Sequence, residues 1–542
     1  MTRSELLQHF DTLAETPDAA SKLRKAIRAL AVAGRLCSGG KPRPVPLISL
    51  GSWALGCGFP SSEQGHADRP ILFCKVSDMN LSGNEREILT TIHTIDEVTA
   101  KRLRVKAHPP GTVVFPKIGG AIATNKRRII VKPTAIDNNC LGIRPNESCS
   151  TAWLFLVLNA IDLSKYQSGT SVPALSQGTL EEIEVSLPPL AEQKRIVAKV
   201  EELLALCDEL EARQTAAREH RTHLLRSALG HLTAGARPSP GAATPARKTA
   251  PDTLGGSDPD HAAFVLREFS SLTTTPEDVP ALRQAILSLA VQGRLVPRHP
   301  LVSTAKLLPK IYAHKKRLES EGVIKKPKPL PQIEETELDY EIPSHWEWAR
   351  LGDLCELITD GTHLTPKYTA NGKMFLSAQN VKPFRFMPEK HRFVSEADYR
   401  GYIKNRKAEV GDILLTRVGA GIGEAAVIDQ RLDFAIYVSI ALVRPANGFV
   451  DPHYITVWLN SPHGTGKSRQ FTYGIGMSQG NLNLGQIQKF VVSLPPLAEQ
   501  HRIVAKVDDL MRWCDELETR LTAAQTTAAA LLDASLHEIL AG

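Results

Sequence analysis

The stretch TVVFPKIGGAIATNKRRIIV, residues 112–131, places Lys117, Gly119, Gly120, Asn125, Lys126, Arg127 and Arg128 in one loop between two strand-like runs. Arg and Lys donors match phosphate oxygens and the guanine edge, Asn matches adenine, and glycines let a backbone come close. The chemistry on offer is non-covalent recognition of nucleic acid, although a solvated basic hairpin would use the same residues. Two other stretches resemble nucleotide sites and fail on context. SPHGTGKS, Ser461 to Ser468, has Ser461 where a phosphate loop needs glycine, and DPHYITVWLN before it reads as a helix where a strand is required. GAGIG, Gly419 to Gly423, lacks the helix and distal acid of a dinucleotide fold and reads as a hairpin turn.

A chain of 542 residues exceeds a single core and predicts about three or four compact units. Hydrophobic content of 42% and charged content of 23% are ordinary for globular protein. The net charge of +7 permits nucleic acid without requiring it. The eight cysteines show neither a CxxC pair nor zinc spacing, which predicts reduced thiols and a cytoplasmic setting. MTRSELLQHF lacks the apolar core of a signal peptide, and no run is apolar enough to cross a membrane.

Two internal repeats position these loops. SLPPLAEQKRIVAKVEELLALCDELEAR, Ser186 to Arg213, returns as SLPPLAEQHRIVAKVDDLMRWCDELETR, Ser493 to Arg520, with 21 of 28 positions identical. A Pro pair opens each copy and suits a helix start. Apolar residues then recur at alternating four- and three-residue steps: Ile196, Val200, Leu203, Cys207 and Leu210 in the first copy, Ile503, Val507, Leu510, Cys514 and Leu517 in the second. That 3.5-residue period predicts a coiled-coil seam on helices of about 40 residues, roughly 60 Å long. A dimerisation zipper or a plain surface helix would show the same spacing. LRKAIRALAVAGRL, Leu23 to Leu36, likewise returns as LRQAILSLAVQGRL, Leu282 to Leu295. Each half therefore reads as short helices, a variable module and a long helix.

This arrangement resembles the specificity (S) subunit of type I restriction-modification systems. The duplicated SLPPLAEQ segments, AVQGRLVP at Ala290 to Pro297 and WEWARLGDL at Trp346 to Leu354 carry the resemblance. It implies an α+β chain: two mixed α/β target-recognition domains separated by a pair of long antiparallel coiled-coil helices, with an internal pseudo-repeat. The expected divisions are short helices at 1–37, a first recognition domain at 38–185, a long helix at 186–232, a flexible linker at 233–260, repeated short helices at 261–298, a second recognition domain with a charged lead at 299–490 and a C-terminal long helix at 491–542. In such modules Thr362, His363, Gln379, Asn380, Lys382, Arg417, Gln479 and Asn481 become expected base and phosphate readers, though turn chemistry alone also explains them.

The resemblance further implies double-stranded DNA, two methyltransferase subunits and restriction/translocase subunits as partners, and no membrane. S-adenosylmethionine would belong to the methyltransferase, and ATP and Mg to the nuclease-motor. This chain would bind no cofactor or metal and catalyse nothing; no DPPY-like or NPPF-like segment is present. A stand-alone DNA-binding regulator and a coiled-coil scaffold without DNA remain the other two readings. The first module departs from the family's DGTH-like opening, with GFPSSEQ at Gly58 to Gln64.

Overall fold

A computed structural model describes residues 16, 18–36, 44–169, 172–233, 273–297, 307–404, 406–474 and 480–541. The expected linker at 233–260 lies almost wholly outside them. The chain divides into two compact units, 1–218 with 524–542, and 219–523. Both are mixed α/β. Among the described residues no helix is long and apolar enough to cross a membrane.

In the first unit, helix α1 (Ala19–Val32) precedes a five-stranded sheet ordered Gly51–Leu55, Cys140–Pro145, Val113–Pro116, Arg128–Ile130, Glu87–Ile88. A three-stranded sheet, His93–Ile95, Ile71–Cys74 and Thr134–Ile136, lies in the same unit. Helix α2 (Thr151–Ala160) is the apolar run TAWLFLVLNA, started by Ser150, whose hydroxyl accepts from the Trp153 N–H at 3.2 Å. Its Trp153, Leu154, Val157 and Leu158 are fully buried in the main core, and burial on that scale stabilises by roughly 1.5–3 kcal/mol per large side chain. Helix α3 (Leu190–Thr233) leaves the module after Pro188 and Pro189.

In the second unit, helix α4 (Val279–Val291) precedes two four-stranded sheets. One runs Cys355–Asp360, Ile440–Pro445, Ile413–Thr416, Ala425–Val427; the other runs Tyr368–Thr369, Arg392–Val394, Lys373–Leu376, Phe434–Ile436. Helix α5 (Pro452–Asn460) is capped by Asp451, and helix α6 (Leu497–Ala541) begins in this unit, its residues from 524 onward belonging to the first. SPHGTGKS lies on the helix Pro462–Gln470 directly after α5, and GAGIG joins two antiparallel strands, so neither stretch has a nucleotide fold around it. The strand Lys373–Leu376 is followed by a 3-10 turn at Ala378–Asn380. The charged lead of the second recognition domain includes the helix Leu307–Ser320, which is packed down; Ile311 is fully buried and the Lys315 ammonium donates to the Gly352 carbonyl at 2.7 Å.

The repeated AGRL and QGRL segments end α1 and α4 with one and the same cap. Gly34 and Gly293 take positive φ, 70° and 71°, which costs a glycine nothing. The Arg35 N–H then reaches the Leu30 carbonyl and the Arg294 N–H the Leu289 carbonyl, both at 2.9 Å, the 6→1 bond of a Schellman motif. Each short helix is also pinned to the long helix of its own unit by an arginine: Arg24 bridges Asp208 and Glu211, and Arg283 bridges Asp515 and Glu518.

The seam positions serve a use the heptad spacing does not reveal. Ile196 and Val200 lie in the main core of the first unit, with Trp153 and Leu154. Ile503, Val507, Leu510 and Cys514 lie in the main core of the second, with α4 and α5. Cys207 is also buried, whereas Leu203, Leu210 and Leu517 are half-buried. The first turns of each stripe thus seat the long helix on its own module. Further along, Leu532 of α6 is buried against Ala19 of α1, and the Lys22 ammonium meets Asp533 at 2.8 Å.

The SLPPLAEQ repeat owes its pattern to one buried amide. Gln193 and Gln500 are both fully buried. The Gln193 side chain donates to the Pro188 and Ser148 carbonyls, each at 2.8 Å, and accepts from the Ser150 N–H at 2.9 Å. Gln500 donates to the Pro495 carbonyl at 2.9 Å and accepts from the Asp451 N–H at 2.8 Å. One carboxamide therefore ties the start of the long helix to the cap of α2 or α5. Replacing Gln193 or Gln500 by Leu strands those backbone groups and is expected to cost about 1–3 kcal/mol at each site. Calorimetry reads this as a lowered Tm, and an unchanged Tm for both variants would remove the clamp from the account.

Candidate nucleic-acid interface

In the first unit the basic loop joins antiparallel strands with Val113 opposite Ile129 and Val114 opposite Arg128. A 3-10 turn, Gly120–Thr124, fills it, entered through Gly119 at φ 76° and left through Asn125 at φ 50°. Glycine and asparagine tolerate that region best. The loop's cations differ sharply in what they can reach. Arg127 is 2% exposed, with its guanidinium donating to the Leu158, Ile161 and Lys126 carbonyls and to Asn125 Oδ1, and lying 5.4 Å from the Phe115 ring centroid. Burial lowers its pKa, as expected for a cation taken out of water.

Arg127 is a strut of the interior, and its expected role as a DNA reader is withdrawn because its donors are spent and its head is out of solvent. Arg128 is half-buried and donates to the Arg127 and Met79 carbonyls. Lys126 bonds the Asn80 side chain. Lys117 is half-buried, with its backbone engaged by Asn139 and Leu175.

In the second unit the turn Asp360-Gly361-Thr362-His363 is a pedestal with one outward group. Gly361 lies so close to the strand Phe434–Ile436 that an added Cβ would sit 2.1 Å from the Ile436 carbonyl oxygen. Thr362 is buried; its N–H donates to the Ile436 carbonyl and its hydroxyl accepts from the Leu364 N–H. Asp360 is buried and shared between His363, 2.9 Å away, and the Arg417 guanidinium. The His363 side chain is 68% exposed, so the carboxylate holds an imidazole that faces solvent. Arg417 is 4% exposed and further donates to the Leu482 and Val438 carbonyls and to Asn481 Oδ1. Burial lowers its pKa while Asp360 opposes that shift.

Arg417 and Thr362 are thus removed from the set of direct readers, since neither presents its polar atoms to solvent. Asn380 joins them: it is fully buried, and its amide donates to the Met387 and Lys390 carbonyls. Gln379, next to it, is exposed and donates to the Lys390 carbonyl at 3.2 Å. Lys382 is exposed and paired with Glu424 at 3.1 Å. Asn481 is exposed with its oxygen accepting from Arg417. Gln479 lies outside the described residues.

The structure brings Asp360, His363, Arg417 and Asn481 into one network and leaves Gln379 and Lys382 outside it. Sequence reading missed Asp360 as the centre of that network and missed Arg406, which donates to the Asp360 and Gly361 carbonyls at 2.8 and 2.6 Å. An acid three residues before a histidine at a glycine turn was the available signal for Asp360; Arg406 had none. A cleft of about 1160 Å³ opens in this unit among α4, α6 and the turns carrying Phe384, Arg385 and Gly421. Among the described residues no cluster of three or more His, Cys, Asp or Glu side chains could hold a metal.

The model of the type I restriction modification DNA specificity domain matches residues 108–218 and again 343–524. The specificity subunit of type I restriction enzyme EcoAI from Escherichia coli is 29% identical over 400 residues, which cover 70% of this chain and 63% of that one. The EcoEI specificity subunit from the same organism is 28% identical over 372 residues, 66% of this chain and 59% of that one. The chain therefore spans about three fifths of the length of these two relatives. A crystal structure of the HsdS subunit from Thermoanaerobacter tengcongensis covers 91% of this chain and 95% of its own at 18% identity, with a TM-score of 0.43. With more than half of its residues matched in two blocks, one in each unit's recognition module and long helix, the chain belongs to the family of type I restriction modification DNA specificity domains.

Proposed function

We propose that this chain is the DNA sequence-recognition subunit of a type I restriction-modification complex and reads a bipartite target, one half-site per recognition module. The observation that carries this reading is the double family match, which falls on both modules and on the long helix that follows each. Sequence is read by groups that reach base edges, while phosphate contacts only position the protein. In the second module the exposed His363, Gln379 and Lys382 suit the first task and the struts Arg417 and Asn380 support them. In the first, Lys117, Asn125, Lys126 and Arg128 are all half-buried and only Arg127 is shut away from solvent. Because the modules differ in sequence, the two half-sites differ as well.

Methyltransferase subunits carrying S-adenosylmethionine would dock on this chain and modify an adenine in each half. A nuclease-motor using ATP and Mg would cut unmodified DNA. The two long helices, paired antiparallel, would act as the ruler that fixes the unread spacer, since half-sites one turn apart lie about 34 Å from centre to centre.

Co-expression with a type I methyltransferase subunit, followed by mapping of methylated adenines across the host genome, is expected to return an asymmetric two-part motif that vanishes when this chain is omitted. Methylation that persists without the chain would sink the reading. One heptad inserted into both long helices is expected to lengthen the ruler by roughly 10 Å, about three base pairs at 3.4 Å each. A spacer of unchanged length in the methylated motif would refute the ruler.

A further inference from the structure

We infer that Arg392, held over the ring of Tyr368, reads a base edge in the half-site bound by the second unit and so sets part of its sequence specificity, an inference that rests on the reading of this chain as a DNA-recognition subunit. The strand Arg392–Val394 pairs with Tyr368–Thr369 on one side and with Lys373–Leu376 on the other. The Arg392 guanidinium carbon lies 4.5 Å from the Tyr368 ring centroid, the shortest cation–ring contact among the described residues. Tyr368 in turn sets its ring edge-on to Phe375, with centroids 6.1 Å apart, and Phe375 is 3% exposed. A chain of contacts therefore runs from the core to an exposed guanidinium.

The segment leading into Arg392 is equally fixed. The Lys390 carbonyl accepts from both Gln379 and Asn380, and the His391 ring packs edge-on against Phe393 at 4.7 Å. Gln379, itself a candidate reader, thus holds the backbone two residues from Arg392. Glu389, in the same turn, is exposed. Of the other arginines in this unit, Arg350, Arg417 and Arg444 each hold a carboxylate. Among the described residues Arg392 meets no acid, so its five donors remain available.

The geometry favours base reading over phosphate binding. A guanidinium held over a ring is less free to turn than an ammonium on a bare stem, and its planar fork matches the paired acceptors O6 and N7 of guanine. A phosphate is served as well by a flexible ammonium, and stacking adds nothing to it. Holding the group in place beforehand also removes most of the rotamer entropy lost when a long side chain is ordered on binding.

The test uses the full chain in its complex and the same genome-wide methylation map. Arg392→Lys keeps the charge and removes the planar fork. It is expected to broaden the motif at one position of one half-site, with a loss of preference of about tenfold or more there, and to leave the other positions as they were. Tyr368→Ala should broaden that same position, and Tyr368→Phe, which retains the ring, should leave the motif intact. Since Arg392 and Tyr368 are exposed, all three variants should keep the Tm of the parent. An unchanged motif for Arg392→Lys would overturn the inference. So would a uniform fall in methylation with the motif intact, which is the mark of a phosphate contact or a protein contact. If the parent chain itself confers no motif, the recognition reading fails and takes the inference with it, a result plainly different from a working parent beside an unaltered variant.

Discussion

The buried carboxamide at the foot of each long helix is the constraint on which each unit depends. A helix of 44 or 45 residues is a long lever, and its direction is set over the few residues where it meets its module. Leucine would fill the space of Gln193 or Gln500 but leave proline carbonyls and capping N–H groups without partners. Glutamate would bring a second oxygen against the Pro188 or Pro495 carbonyl and have no donor for it. Only an amide supplies donor and acceptor together. In the second unit the joint is reinforced by Ser493, whose hydroxyl donates to the Val291 carbonyl at 2.7 Å and meets the Tyr340 hydroxyl at 3.0 Å, while its carbonyl accepts from Tyr454 at 2.8 Å. In the first, the Ser186 carbonyl accepts from the Trp153 indole at 3.1 Å.

The short helices complete the same joint in different proportions. In α4 the buried residues include Leu282, Ile286, Leu287 and Leu289, whereas those of α1 are alanines. Hydrophobic burial scales with apolar area, so α4 contributes far more to its core than α1 does. The arginine bridges to acids on the long helix cannot make up that difference, because ion pairs this exposed are worth at most about 1 kcal/mol. Their value is positional: one guanidinium gripping two carboxylates three residues apart fixes the helix in both rotation and height. The Arg recurs in both copies, as Arg24 and Arg283, whereas the buried Leu287 of α4 has Arg28 at the matching place in α1.

Element types could be read from the sequence wherever a signal was local. The apolar run TAWLFLVLNA, the paired prolines before each long helix and the glycine within AVAGRL and LAVQGRL each specify their element within a few residues, and the structure places α2, α3 and both caps accordingly. The candidate site was far less legible, for a physical reason. A guanidinium that would suit guanine suits backbone carbonyls equally well, and the Arg127 partners at Leu158 and Ile161 lie 31 and 34 residues along the chain. Arg417 is decided at still longer range, by Asp360 and Leu482. The seam was ambiguous in the same manner, because a stripe that seats a helix on a sheet and a stripe that seats it on another helix share their first turns.

The separation of struts from exposed groups has a consequence for how such a module can change its target. Arg127, Arg417, Asn380 and Thr362 are buried, and each fixes a loop through bonds to the backbone. Removing any of them leaves buried carbonyls or N–H groups unpaired, so their replacement carries a stability cost whatever DNA is bound. His363, Gln379 and Lys382 stand on those loops and contribute little to holding them. Substitutions at exposed positions of that kind usually shift stability by no more than about 0.5 kcal/mol. A scaffold that keeps its interior hydrogen bonds can therefore exchange its exposed groups one at a time without losing its fold. Struts and exposed polar groups share the same few turns, and it is burial, not residue type, that divides them.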